Sequence, residues 1–283
     1  MIELSAATFC LQWATGGLLF LWVTTRRREV GIGYGWLMRG TFGLIAALGV
    51  YIGFRYEDAL IREVAGLGVV AATAVALGVS IVRRRAGVAG ERERVAVKSA
   101  RITEMTGIER DIDGPRDDVP EFPPTLDLVA PVIGALGLVA AAVADGGPLA
   151  LSLARLLAGA VFLGAVTDAM LLGHWYLVQP GLARGPLNEL VRWTGWSWPV
   201  EVAVMLLPTG MVSVLDGTID DGYGGILGWF WLACAITTIG LVLVTRAALR
   251  ERYYSAVMAA TGLLYLAILT GFGTDLVARA VLA

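Results

Sequence analysis

Two carboxylates, Asp168 and Glu201, lie inside long apolar runs of the sequence, where a bilayer would expel a charged group. An ionisable side chain inside hydrocarbon is costly unless it is paired, protonated or wetted, so both are candidates for moving protons or binding ions. The alternative is structural: each carboxyl is neutralised by a proton or a nearby hydroxyl and keeps two helices in register.

Helical spacing predicts which side of its helix Asp168 occupies. Gly164 precedes it by one turn and Ala160 by two turns, so this stripe consists of small residues. Small residues allow the close approach of two helices in a membrane. We therefore predict that Asp168 faces protein and not lipid.

Glu201 belongs to a polar stripe that ends at a proline. The other members are spaced by three or four residues: Thr194, Ser197, Met205 and Pro208. Proline has no N–H, so Pro208 leaves the carbonyl of Val204 without its usual helical donor. We expect a bent backbone and an unused acceptor close to Glu201.

The single histidine, His174, begins an aromatic string with Trp175 and Tyr176. A neutral imidazole beside aromatic rings can donate to a quinone carbonyl, and it titrates near physiological pH. Alternatively, these residues join Trp193, Trp196 and Trp198 in an interfacial aromatic belt, the interpretation that we favour. Asp168 shares its face with Trp175, so we do not expect it to touch His174.

Several classes of chemistry are excluded by what the sequence lacks. One histidine cannot supply both ligands of a bis-histidine haem in this chain. The isolated Cys10 and Cys234 suit buried free thiols better than a disulfide or metal site. No zinc-hydrolase motif, P-loop or nucleophile elbow is present. A net charge of −2 gives no reason to expect nucleic acid. We expect no metal and no stand-alone catalyst.

The composition predicts an all-α, polytopic transmembrane bundle. Hydrophobic residues make up 57%, charged residues only 16%, and mean hydropathy is +0.71. A hydrocarbon core about 30 Å thick requires about 20 apolar residues per helix. We predict eight such helices, over Ala6–Thr24, Gly35–Phe54, Ala59–Val82, Leu126–Ala144, Leu149–Val178, Leu190–Leu215, Gly224–Thr245 and Tyr253–Leu282.

Basic residues alternate between helix ends and predict the orientation, because short basic loops stay in the cytoplasm. With eight helices, both termini lie outside, and a cytoplasmic loop over 83–125 separates a three-helix segment, 1–82, from a five-helix segment, 126–283. The chain contains 21 Arg and one Lys, typical of a GC-rich genome. We therefore expect a multi-pass protein of a bacterial inner (cytoplasmic) membrane.

Two polar segments are candidates for contacting other subunits. The loop 83–125 is basic first, then acidic and rich in proline. We favour a solvated, partly disordered loop over the alternative of a docking arm for a cytoplasmic partner. The acidic turn 216–222 lacks the ligand pattern of an EF-hand, so we interpret it as a solvated hairpin that an external partner can still reach.

Two short patterns resemble a known family. Gln12 with Gly16 and Gly17 in the first helix, and Asp275 followed four residues later by Arg279 in the last, are similar to patterns in the haem-free, eight-helix, quinol-interacting membrane subunits of polysulfide and dimethyl-sulfoxide reductase type enzymes. The resemblance implies a quinone bound between helices, no covalently bound cofactor, and redox centres held by partner proteins.

The leading hypothesis is an integral-membrane subunit of an energy-transducing electron-transfer complex. Its candidates for quinone contact and proton passage are His174, Asp168, Glu201, Trp175 and Tyr176. A second hypothesis is an ion- or proton-coupled transporter or channel, in which the two carboxylates bind the cation or proton. A third is a membrane scaffold or assembly subunit, whose polar residues only pack helices.

Overall fold

The computed structural model describes residues 5–57, 59–106, 120–145 and 147–282, and these form helices joined by turns. The α-helices are α1 (Ala6–Thr25), α2 (Ile32–Tyr56), α3 (Leu60–Val82), α4 (Ala89–Thr106), α5 (Val129–Ala144), α6 (Leu149–Val178), α7 (Gly185–Leu206), α8 (Gly210–Leu215), α9 (Ile226–Ala248) and α10 (Tyr254–Leu282). A 3₁₀ turn over Pro124–Leu128 leads into α5. Strands are absent from the described residues.

The prediction of a polytopic helical membrane protein is confirmed. Within the described ranges, seven helices are long and apolar enough to cross a bilayer: α1, α2, α3, α5 with its preceding turn, α6, α9 and α10. The sixth predicted spanning helix, Leu190–Leu215, differs from the structure. It is broken at Pro208 into α7 and α8, and α7 carries Glu189, Arg192 and Glu201 among its 22 residues.

The long helices pack as two groups of four. α1, α2, α3 and α5 form one ring in which each helix contacts the next and α5 returns to α1. α6, α7, α9 and α10 form a second ring with the same order of contacts. The first helices of the two rings, α1 and α6, pack against each other and join the groups. The grouping differs from the three-and-five division along the chain, because α5 packs with the first three helices.

Glycines allow α1 and α6 to cross at backbone distance. A Cβ atom added to Gly16 would lie 1.8 Å from the carbonyl oxygen of Ala160, and one added to Gly164 would lie 2.2 Å from the carbonyl carbon of Gly16. Most residues of α1 are buried, and α6 is buried without interruption from Phe162 to Ala169, beside this crossing. The small stripe before Asp168 therefore packs on protein, as predicted, and Asp168 is fully buried.

The outer surface of the bundle is strongly apolar. Large side chains of α2, α3, α5 and α9 are exposed, including Leu44, Ile61, Leu136 and Trp229, each at least 64% accessible. Contiguous apolar surface on this scale is rare in soluble monomers and marks contact with lipid or protein. The lipid bilayer is the environment that this surface fits.

A buried ion pair and helix α4 distinguish one end of the bundle from the other. We name the end that carries α4 the loop end and the opposite end, where α1 begins, the open end. At the loop end, Arg39 and Asp127 form a fully buried, two-bonded ion pair with both N···O distances at 2.8 Å. Helix α4 docks there through Arg94, which donates to the Glu29 carbonyl at 2.7 Å. Part of the loop 83–125 is thus helical.

Candidate functional site

A cavity of about 330 Å³ opens at the open end of the bundle, between α1, α6 and α10. Its apolar wall contains Phe9, Leu151, Leu156, Met205, Ala278 and Leu282, and its polar wall contains Ser5, Thr8, Gln12, Asp145, Ser152, Arg155 and Arg279. Small-molecule sites typically have about 300–1,000 Å³ and combine apolar walls with a few convergent polar groups. The cavity has both properties.

Gln12, Asp275 and Arg279 form a hydrogen-bonded cluster at the floor of the cavity. Arg279 donates through Nε to both carboxylate oxygens of Asp275, each at 2.9 Å. Gln12 donates through Nε2 to Oδ1 of Asp275 at 3.2 Å. Asp275 is fully buried, whereas Arg279 reaches the cavity. The guanidinium therefore stabilises Asp275 as a carboxylate and presents its remaining N–H groups to a ligand.

Arg155 supports the broken helix beside this cluster. Its Nε donates to the carbonyl of Val204 at 3.2 Å, and its Nη2 donates to that of Leu207 at 2.7 Å. The prediction that Pro208 leaves the Val204 carbonyl without a helical donor is confirmed, and Arg155 is the donor that replaces it. The carbonyl of Arg155 in turn accepts from Nη2 of Arg279 at 2.6 Å.

Glu201 lies beneath the cavity, one helical turn before Met205. It is fully buried, and neither carboxyl oxygen accepts a hydrogen bond. The nearby hydroxyls of Thr194 and Ser197 donate to carbonyls of their own helix, at 3.0 and 3.2 Å. These hydroxyls therefore do not neutralise Glu201. The charged groups that interact with it are Asp275, Arg279 and Arg155.

Asp168 lies apart from this cluster. Both its oxygens are buried without a hydrogen-bond partner, and Tyr34 of α2 is within its electrostatic reach. Thirteen residues separate it from Arg155 along α6, which corresponds to about 20 Å of helix. The structure therefore does not bring Asp168 and Glu201 into one site.

The aromatic string near the loop end lies far from the cavity. His174 is exposed on the side of the bundle, and its Nδ1 is 3.0 Å from the hydroxyl of Tyr265. Trp175 is half-buried and donates through Nε1 to Gln179 at 3.1 Å. Tyr176 is buried and donates to the Ala183 carbonyl. Neither His174 nor its two neighbours lines the cavity.

Asp145 adds a titrating group at the cavity mouth, in the turn between α5 and α6. Burial raises the pKa of Asp145 above its ordinary value, while the nearby positive charges of Arg279 and Arg62 oppose that change. The cavity therefore joins the carboxyl of Asp145 to two guanidinium groups, those of Arg155 and Arg279. A carboxylate at this position can accept a proton released at the cavity mouth.

Sequence reasoning about buried carboxylates missed Arg155, and it reached Asp275 and Arg279 only through a resemblance. The signal for Arg155 was available, since it is a lone cation within the apolar run of α6. A cation in such a run needs a buried acceptor, and the sequence offers the carbonyls freed by Pro208. Which helix approaches that break depends on the packing of α6 against α7.

The chain matches no protein-family model, no curated protein and no solved structure.

Proposed function

We propose that this protein is the integral-membrane subunit of an energy-transducing electron-transfer complex and that its cavity binds the headgroup of a quinone. The observation that carries the proposal is the Gln12–Asp275–Arg279 cluster at the cavity floor. It supplies fixed N–H donors beside apolar walls, which suits a flat, apolar ring with carbonyl oxygens.

The chemistry follows from the donors and carboxyls at hand. Quinone carbonyls accept N–H hydrogen bonds from Arg155, Arg279 or Gln12. When a quinol is oxidised, its electrons pass to a redox group in a partner subunit, and its hydroxyl protons pass to bases. Asp145 lines the mouth of the cavity, and the carboxylate of Asp275 lies directly behind Gln12 and Arg279, so these two groups are the bases at hand. The proposal thus moves quinone contact from His174, Trp175 and Tyr176 to the cavity.

The cellular placement is part of the same proposal. The loop end carries Arg26, Arg27 and Arg28 together with the basic residues of α4, so it belongs in the cytoplasm of a bacterial inner membrane. Redox subunits would then dock on the segment 83–125 or on the acidic turn 216–222. Residues 107–119 of that segment lie outside the described residues.

Purification of the native complex in mild detergent tests the proposal. We expect redox subunits to co-purify and the complex to turn over quinol. Gln12→Leu and Arg155→Gln should lower turnover at least about tenfold, the equivalent of losing one charged hydrogen bond. Arg55→Gln, at an exposed position near the same end, should leave turnover unchanged. A complex without redox subunits, or equal turnover in all variants, contradicts the proposal.

A second candidate function is a proton-coupled transporter. Asp168 and Glu201, both buried and unpartnered, lie at different depths of one helix group, as in a proton route. Flux into proteoliposomes that disappears in Asp168→Asn and Glu201→Gln would favour transport. A loss of stability in these variants without any loss of flux or turnover would favour a scaffold.

A further inference from the structure

Glu201 is buried among charged groups of both signs. From α6 it faces Arg155, and from α10 it faces Asp275 and Arg279. Helix α9, also packed on α7, places the buried indole of Trp231 in the same apolar cluster as Met205 and Ala278. Asp145 acts on Arg279 from the cavity mouth. These are the charged and titrating groups that we find around Glu201 in the described chain.

The hydrogen bonds around Glu201 and Asp275 stabilise the ionised form of only one of these two groups. Asp275 uses its oxygens to accept from Arg279 and Gln12, so it is the stabilised carboxylate. An ionised Glu201 would be a second buried anion, with no donor for either oxygen. A carboxylate only accepts hydrogen bonds, whereas a protonated carboxyl donates one. Asp275 interacts electrostatically with Glu201. Arg155 links their surroundings, because it donates to the Val204 carbonyl, three residues after Glu201, and its own carbonyl accepts from Arg279.

We propose that Glu201 and Asp275 form a single proton-binding site in which Glu201, as a carboxylic acid, donates its O–H to the carboxylate of Asp275. The pair carries one negative charge, and Arg279 balances it. This arrangement gives the buried Glu201 a hydrogen-bond acceptor, and it avoids the large cost of an unpaired buried charge.

The pair couples proton position to the cavity, a consequence that rests on the proposed function. A ligand that accepts N–H groups of Arg279 weakens the hold of this guanidinium on Asp275. The proton then transfers between the two carboxyls: the O–H bond of Glu201 breaks and an O–H bond forms on Asp275. Because such coupling is reciprocal, the protonation of the pair also changes the affinity for the ligand.

Infrared spectroscopy of the purified chain in lipid tests the proton site without any redox partner. At neutral pH we expect a carbonyl stretch from a buried carboxylic acid that shifts on labelling with isotopic glutamate. Glu201→Gln, which has the shape of the neutral acid, should remove this band. Asp275→Asn should also remove it, because Arg279 then needs Glu201 as its carboxylate. Asp168→Asn is the control and should leave the band in place.

The outcomes distinguish a proton site shared by Glu201 and Asp275 from a Glu201 that is protonated independently. A glutamate band that survives Glu201→Gln, or no glutamate band in the wild-type chain, overturns the proposal. A band that Asp275→Asn leaves unchanged shows that Glu201 is protonated independently and also overturns the pair. If a soluble quinone fails to alter a band that depends on both residues, the proton site stands and the quinone pocket fails.

Discussion

At the scale of single residues, Gly159 makes room for the cavity floor. A Cβ atom there would lie 2.2 Å from Nε2 of Gln12, 2.4 Å from Oδ1 of Asp275 and 2.6 Å from Nη2 of Arg279. All three contacts are far shorter than any van der Waals distance. The cluster can form at this height of the bundle because residue 159 has no side chain.

The variant Gly159→Ala should therefore damage the site more than the fold. We expect quinol turnover of the native complex to fall at least about tenfold, since displacing one charged hydrogen bond costs about 1.5–3 kcal/mol. Gly262→Ala in α10, where an added Cβ meets nothing within 4 Å, is the matched control. Equal turnover in both variants would show that the cluster has no part in the activity.

Asp221 gives a pH-dependent prediction at the start of α9. Its Oδ1 accepts from the backbone N–H groups of Gly225 and Tyr223, each at 2.9 Å, and its Oδ2 accepts from that of Leu227 at 2.8 Å. These hydrogen bonds, the one from Gly225 contributing most, hold the pKa of Asp221 below its ordinary value. The stability that ionised Asp221 gives the folded protein is complete above the pKa of the unfolded chain. It is lost as the pH falls through the lower pKa of the folded protein.

We expect Asp221→Asn to reduce the hydrogen-exchange protection of amides 223–228 at neutral pH. The difference from wild type should shrink on acidification, because protonation removes the same acceptor from the wild-type chain. Asp220→Asn is the control, since Asp220 accepts a single N–H, from Gly222. A difference that stays constant across the acidic range would contradict this account of Asp221.

Predictions for single residues were correct where the property depends on neighbours in the same helix. The small stripe at Ala160 and Gly164 correctly predicted that Asp168 faces protein. Pro208 correctly predicted that the Val204 carbonyl lacks a donor from its own helix, and Arg155 supplies one instead. The partners of Glu201 were not predictable, because Arg155 and Asp275 lie 46 and 74 residues away in sequence. Their approach depends on how helices pack.

At the scale of helices, the crossing of α1 and α6 positions both halves of the molecule. It places Gln12 of α1 against the second helix group, where its side chain reaches Asp275. The atoms that face Gly16 belong to the backbone of α6, so they cannot move aside as a flexible side chain can. The crossing is therefore sensitive to a single methyl group.

Gly16→Ala should destabilise the protein by about 1–3 kcal/mol, the usual cost of overpacking a close contact. Gly40→Ala in α2, where an added Cβ meets nothing within 4 Å, should be neutral or stabilise slightly, because alanine favours helix over glycine. Unfolding in denaturing detergent measures both. A Gly16→Ala variant as stable as the Gly40→Ala control would argue against the close crossing.

The long apolar helices were predicted from the sequence. The errors concern helices that are polar or interrupted, and the way in which the helices pack. The predicted sixth helix was one continuous span, whereas Pro208 divides it in the structure. Helix α4 was not predicted, because its sequence is too polar to show an apolar stripe, and the loop end holds it through Arg92 and Arg94. The four-and-four grouping was also invisible, because lipid-facing and protein-facing apolar residues look alike in sequence.

At the scale of the whole molecule, charge distribution predicts the orientation in the membrane. Cys10 and Cys234 are buried, so single cysteines can be introduced as reporters on exposed positions. In intact bacterial cells, an impermeant thiol reagent should label Thr218→Cys in the acidic turn and should not label Ala100→Cys in α4. The reverse pattern would place the loop end outside and contradict the proposed cytoplasmic docking of partners.

The most direct test of the central claim is the binding of a short-chain quinone to the purified protein in lipid nanodiscs. Trp13 packs beside Phe9 of the cavity wall, with ring centroids 6.3 Å apart, and provides an intrinsic fluorescence signal. We predict saturable quenching for the wild-type chain and for Gly262→Ala, and weak or absent quenching for Gly159→Ala. Quenching that never saturates, or that is the same in all three proteins, would contradict the assignment of the cavity as a quinone site.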